Sequence, residues 1–306
     1  MKRLLLLAVV LLAASPALAG PPQETTTVDE VVVVARRAEA PIWEVRKGAG
    51  VLILVGAIEG LPRDLEWRSD ALTAAADRAD RVLFPPAGRA SFADIGRLLW
   101  RARSIVYLPE GRTTADYLTP EMNARFLALY RSGERTNLLL SAQQLLEKAG
   151  YAQRSRAAAE VVRASARKRR APVEPIDVLQ GSDLVEMLIS TPPDVHRPCL
   201  EAAIAAAEAG PDSAAARAQA WRRRQVQAVL ASPLERAIDV CWPWGAAGPE
   251  RQLRSRWTQA LDAALDQQGV TLAVAPLHLL AEAGGQLERL EGQGLEIDGP
   301  DWKAAP

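Results

Sequence analysis

The chain has 306 residues, and its 37 lysines and arginines balance 37 aspartates and glutamates. That balance excludes the strongly basic field of most nucleic-acid-binding domains, so no nucleic-acid partner is expected. Two His and two Cys in four separate places make none of the Cys₄ or Cys₂His₂ zinc motifs, and a hydrophobic share of 49% excludes a chain disordered throughout.

Residues 1–19 read as a cleaved secretory signal. Lys2 and Arg3 precede an apolar run from Leu4 to Ala14, which ends in Ser15-Pro16-Ala17-Leu18-Ala19. The run is too short for a spanning helix, and no Cys near the cut offers a lipid attachment. The expectation is a periplasmic or secreted protein with no stable membrane anchor after cleavage. Loss of Lys2 and Arg3 then leaves it slightly acidic. Residues 20–40 read as a polar linker ending in an extended segment. Within it Val28–Arg37 resembles the segment that opens the plug of TonB-dependent outer-membrane receptors. The chain is far too short for their barrel, and the stretch otherwise reads as an edge strand or linker.

A globular pattern begins at Pro41. Trp43–Arg46 and Val51–Val55 are short apolar runs around Gly48-Ala49-Gly50, which predicts a hairpin leading into a buried strand. Ser69 then opens a helix with Leu72, Ala75, Ala76 and Ala79 on one face. Arg81–Phe84 is a strand stopped by Pro85-Pro86, and Ser91-x-x-Asp94 is a capping box for a helix to about Arg101. Ile105–Leu108 reads as a third strand. Alternating strands and helices of these lengths argue an α/β fold: a central mixed β-sheet flanked by helices.

The middle, about 115–267, reads as a mainly helical insertion. Thr119-Pro120-Glu121 starts one helix and Ser141-x-x-Gln144 another. Further helices are expected at about 199–209, 213–231, 233–240 and 250–267. The Arg-rich stretch 154–170 and Arg222-Arg223-Arg224 read as solvated helix faces or as surfaces for an anionic partner. Val270–Val274, a helix around Gln286–Arg289, and Leu295–Ile297 return the chain to the sheet. One domain over 41–300 fits this order better than two independent folds.

Few residues suggest chemistry. No Gly-x-Gly-x-x-Gly loop, Walker loop or Gly-x-Ser-x-Gly elbow is present. His196 lies in a Pro-rich loop and reads as exposed or capping. His278 directly follows a strand, where open α/β sheets usually form ligand sites. In an oxidising compartment Cys199 and Cys241 can form one disulfide; two buried thiols fit the spacing equally. Trp242-Pro243-Trp244 reads either as a groove for carbohydrate or peptide or as a rigid loop. Arg46, Arg63 and Arg68 are candidates for a small anion, without a motif behind them.

The two ends of this domain resemble the TraB/GumN family. Pro41–Val45, Val51–Val55, Gly56-Ala57-Ile58-Glu59-Gly60-Leu61-Pro62 and Trp67-Arg68 are similar to the family's opening, where a strand ends in Gly-x-x-His. Val274-Ala275-Pro276-Leu277-His278-Leu279, with Gly284-Gly285-x-Leu287 and Gly294–Ile297, looks like its second Gly-x-x-His-Leu. The helix around Arg254–Trp257 is placed as in family members. The resemblance implies an α/β fold and, in the Tiki branch, a metal-dependent peptidase whose two His and a carboxylate hold a divalent ion. Three positions depart from that pattern: Glu59 replaces the first His, Phe84-Pro85 stands where many members have Glu, and Ala275 replaces the second Gly. Two readings follow. One is a scaffold with a degenerate metal site, acting as a non-catalytic binding protein for an envelope protein or peptide. The alternative is a divalent-metal-dependent hydrolase that uses Glu59 and His278 as ligands and catalytic groups.

Overall fold

The computed structural model describes residues 39–62, 65–151, 158–242 and 250–303. The signal, most of the linker including Val28–Arg37, Arg63, Arg154, Arg156 and Pro243-Trp244 lie outside the described residues. β1 (Ile42–Lys47) and β2 (Gly50–Ala57) form the expected hairpin, with Trp43 paired to Leu54 and Val45 to Leu52. Gly48 sits at φ 58°, a turn conformation that glycine adopts without penalty. α1 (Asp70–Arg78) follows Ser69 and buries Leu72, Ala75 and Ala76. β3 (Arg81–Phe84) follows, then a short β4 (Ala87–Arg89) and α2 (Phe92–Trp100). The capping box of α2 is formed: the Asp94 amide donates to Ser91 Oγ, and the Ser91 amide donates to Asp94 Oδ2.

The strand expected at Ile105–Leu108 is not one. α3 (Ala102–Val106) occupies most of it, and only Tyr107 makes a bridge, to Thr136. A four-residue apolar run carries no period of its own, so helix and strand cannot be told apart locally. α4 (Pro120–Leu129) starts where Thr119-Pro120 places it, with Thr119 Oγ1 accepting from the Met122 amide. α5 (Leu138–Lys148) starts three residues ahead of Ser141, which is buried inside it. Its cap is Asn137, whose Oδ1 accepts from the Leu139 amide. α6 (Ala158–Arg169) follows, then β5 (Val173–Pro175), β6 (Val178–Gln180) and α7 (Gly181–Ser190), none of these last three expected.

α8 (Arg197–Arg222) merges two expected helices across a kink at Gly210, φ 70°, followed by Pro211. α9 (Val226–Leu230), α10 (Pro233–Cys241) and α11 (Glu250–Asp266) complete the helical region. β7 (Gly269–Pro276) runs into α12 (Leu277–Ala281), then α13 (Gln286–Gly292) and β8 (Ile297–Asp298), which begins later than the expected Leu295.

The main sheet has the order β5-β3-β7-β2-β1-β8. The pairs β5/β3, β3/β7 and β7/β2 are parallel; β2/β1 and β1/β8 are antiparallel. This is the mixed sheet with flanking helices read from the pattern. β2 and β7 at its centre are almost wholly buried, as their unbroken apolar runs require. Two apolar cores result. One joins the sheet to α1, α6, α11, α12 and α13, and contains Trp43, Trp221 and Trp257. The other lies among α4, α5, α8 and α10. α8 belongs to both: Leu200 and Ile204 sit in the helical core, Ala218 and Trp221 in the sheet core.

Candidate functional site

A cavity of about 590 Å³ opens where the two cores meet. The sheet positions it. Ala57 of β2 pairs with Pro276 of β7, so Glu59 and His278 each lie two residues beyond the paired carboxyl ends of neighbouring parallel strands. Both line the cavity, and so does Pro85 just past β3. Two of the positions that depart from the metal pattern, Glu59 and Pro85, therefore line the same cavity as His278, which keeps it, while Ala275, the third departure, is buried in β7. Open α/β sheets place ligand sites at this end of parallel strands.

Glu59 is held by backbone and side chain alike. Its carbonyl accepts from Arg217 Nη2 at 2.7 Å, and its carboxylate accepts from the Tyr151 hydroxyl. Gly60, next in the chain, has φ 67°, and a Cβ there would lie 2.9 Å from the Tyr151 Cα. The turn that presents Glu59 thus needs glycine for its dihedral angle and for space.

His278 is buried, and its partners were not legible as a site in the sequence. Its Nδ1 lies 3.5 Å from Glu235 Oε1, and its Nε2 lies 3.9 Å from Asp239 Oδ1. The Trp242 ring meets the imidazole edge-on at 5.7 Å between centroids. Glu235 is in turn gripped by Arg217, with Nε at 2.8 Å and Nη2 at 2.7 Å from Oε2. All three side chains, Arg217, Glu235 and His278, are at least nine-tenths buried. Burial is the largest influence on the Glu235 carboxyl and pushes it upward, but Arg217 and His278 outweigh it and hold the carboxyl below its ordinary value. A carboxylate facing Nδ1 favours a proton on that nitrogen. Nε2 is buried with no hydrogen-bond partner among the described residues.

Around this triad the wall is apolar, with Ile58, Leu139, Leu146, Leu188 and Ile238 prominent. Cys199 and Cys241 also line it and are joined as a disulfide, fastening the start of α8 to the end of α10. Of the two alternatives read from their spacing, the structure has the bond. Arg254 of α11 completes the polar edge. It donates to Glu250 at 2.8 Å, to Glu282, and to Asp239 at 3.3 Å. Burial, opposed by Arg254, raises the Glu282 carboxyl above its ordinary value.

Other candidates fall elsewhere. His196, expected exposed or capping in a loop, is buried in a 3₁₀ turn (Pro193–His196) just ahead of α8. Arg46 pairs with Glu44 and Arg68 with Asp70, and neither lines the cavity. On α6, Arg163 stacks over the Phe84 ring and Arg169 donates to the Ala76 and Ala79 carbonyls, so part of the basic stretch is packing surface. Glu235 and Arg217 gave no sequence signal beyond lying in helices. A buried charge in an Ala-rich helix is visible only once the helix has been placed.

The residues present do not fit a divalent ion. Catalytic zinc takes three protein ligands with an open position. Among the described residues no group of three or more His, Cys, Asp or Glu converges in a way that could hold one. The side chains nearest His278 are also committed: Glu235 to Arg217, Asp239 to Arg254.

The TraB/PrgY/gumN family model matches residues 41–298. No curated protein and no solved structure matches this chain.

Proposed function

The chain belongs to the TraB/PrgY/gumN family, and from that premise we propose that it is a non-catalytic binding protein of the cell envelope. Its ligand is an apolar segment of an envelope protein or a peptide. The observation that carries this reading is the cavity itself. An apolar wall surrounds one buried ring nitrogen, His278 Nε2, that has no hydrogen-bond partner among the described residues. A buried unsatisfied polar atom costs about 1–3 kcal/mol, which a ligand hydrogen bond would recover. A peptide supplies both halves of the match: apolar side chains for the wall, and backbone polar groups for Nε2. Export rests on the signal pattern of residues 1–19, and a Cys199–Cys241 bond suits an oxidising compartment.

Thermal unfolding with capped leucine-rich tripeptides tests the reading. At about 100 times Kd a ligand of the native state adds about 2.7 kcal/mol. That gain is expected for the wild type, and its loss for Ile238→Trp, which fills the cavity, and for His278→Ala. No gain in the wild type sinks the peptide assignment.

The metal-hydrolase alternative keeps one point in its favour, the shared register of Glu59 and His278 past β2 and β7. Metal analysis of purified protein decides against or for it. A stoichiometric divalent ion that Glu59→Ala and His278→Ala each abolish would overturn the non-catalytic reading.

A further inference from the structure

α2 is built inside out. Phe92, Ile95 and Leu99 recur at helical spacing and form one stripe, the pattern of a core-facing helix. Yet Phe92 is 94% exposed, Leu99 73% and Ile95 49%, and Trp100 beside them is 87% exposed. The one residue that α2 buries is its capping acid, Asp94. Tyr107, just past α3, extends the exposed apolar surface. The capping box forms within the chain, so this helix needs no partner to exist, only to cover its stripe.

The charge around the stripe says what covers it. Residues 87–107 contain Arg89, Arg97, Arg101 and Arg103, all exposed, and a single acid, Asp94, which is buried in the cap. None of these four arginines makes an ion pair within 4 Å among the described residues, although Arg97 feels the Asp94 carboxylate and the chain as a whole is charge-balanced. The arginines lie on β4, on α2 and α3 and at the junction of the two helices, and the nearest exposed acids, Asp183 and Glu186, are on the adjoining α7. Apolar and aromatic side chains on one face, with free arginines beside them, are the composition of a helix that lies in the interface of a bilayer. Among the described residues no helix is long and apolar enough to cross one.

We propose that α2 and α3 dock this protein reversibly on an anionic phospholipid surface, Phe92, Leu99 and Trp100 entering the headgroup region and the four arginines meeting lipid phosphates. Such binding is attractive only within about a Debye length, roughly 10 Å at 0.1 M salt, and weakens at high ionic strength. α7, which packs on α2, contributes Leu188 to the cavity, so one helix separates the docked element from the pocket.

Co-sedimentation of the mature protein with phosphatidylglycerol-containing vesicles, against pure phosphatidylcholine vesicles, tests this. Binding is expected to the anionic vesicles, falling severalfold when salt is raised from 0.1 to about 0.5 M. The double variant Phe92→Ser/Leu99→Ser loses about tenfold or more in partitioning. Arg101→Gln/Arg103→Gln loses on the order of tenfold on anionic vesicles alone. Because these side chains are exposed, both variants keep the wild-type far-UV spectrum and unfolding midpoint. Equal partitioning to both vesicle types, or none, overturns the proposal. So does a concentration-dependent dimer in light scattering that Phe92→Ser/Leu99→Ser dissolves, which would assign the stripe to a second copy of the chain.

Discussion

Arg217, Glu235 and His278 form the buried polar centre of the molecule, and Glu235 carries the largest consequence. Removing its charge strands Arg217, whose side chain is fully covered. Breaking one side of a buried pair costs about 3–5 kcal/mol, so Glu235→Gln is expected to lose that amount in urea unfolding at pH 7. The pH dependence has a definite sign. The folded-state value of Glu235 lies below its unfolded value of about 4.3. Its stabilisation is therefore complete above that unfolded value and is lost as pH falls through the folded-state value. Glu282 works oppositely, since burial raises it and protonation on acidification relieves a cost. The acid limb of stability between about pH 5 and 3 should accordingly be shallower in Glu235→Gln than in the wild type. A parallel shift of the whole curve would show that Glu235 does not titrate as described. His278 was legible from its place after a strand, and Glu59 from its place after another. Glu235 was not, because nothing in Pro233-Leu234-Glu235-Arg236 distinguishes a solvated carboxylate from one facing a buried arginine eighteen residues away in sequence.

At the scale of elements, α8 and its two fastenings decide the geometry of the cavity. Gly210 adopts φ 70° at the kink, with open space around a Cβ there. Gly210→Ala therefore meets only backbone strain and is expected to cost about 1–2 kcal/mol, read from the denaturation midpoint. The Cys199–Cys241 bond spans 42 residues. Loop-closure entropy for that length puts its contribution at about 4 kcal/mol, so reduction or Cys199→Ser/Cys241→Ser should lower stability on that order. A thiol count on unfolded, unreduced protein checks the bond first; two reactive thiols would remove the premise. Elements with paired local signals were readable: the α2 capping box, Thr119-Pro120 at α4, the glycine-centred hairpin. Ile105–Leu108 and Ser141 misled for one reason. A short apolar run or a lone hydroxyl permits several structures, and here the Asn137 cap and the Tyr107 bridge settle which.

At the scale of the whole chain, α8 contributes to both apolar cores across its kink at Gly210, so residues 41–300 are expected to unfold as one cooperative unit. Trp43, Trp221 and Trp257 all report on the sheet core, whereas far-UV circular dichroism is dominated by helices, many of them in the other core. The two signals are expected to change together in urea. An earlier helical transition would instead show that the helical region unfolds alone. The cavity lies between the cores, lined by residues of both.

The sequence by itself determined the fold class, the central buried strands, the positions of Glu59, Pro85 and His278 at strand ends, and the departures from the family pattern at Glu59, Phe84-Pro85 and Ala275. These depend on local periodicity, caps and turns, which neighbouring residues encode. Only the tertiary structure decided that Glu59, Pro85 and His278 line one cavity, that His278 faces Glu235 with Nε2 unpaired among the described residues, and that the α2 stripe points outward. Each of those depends on which faces meet across long sequence separations. A hydrophobic face looks the same in sequence whether the fold covers it or leaves it to solvent.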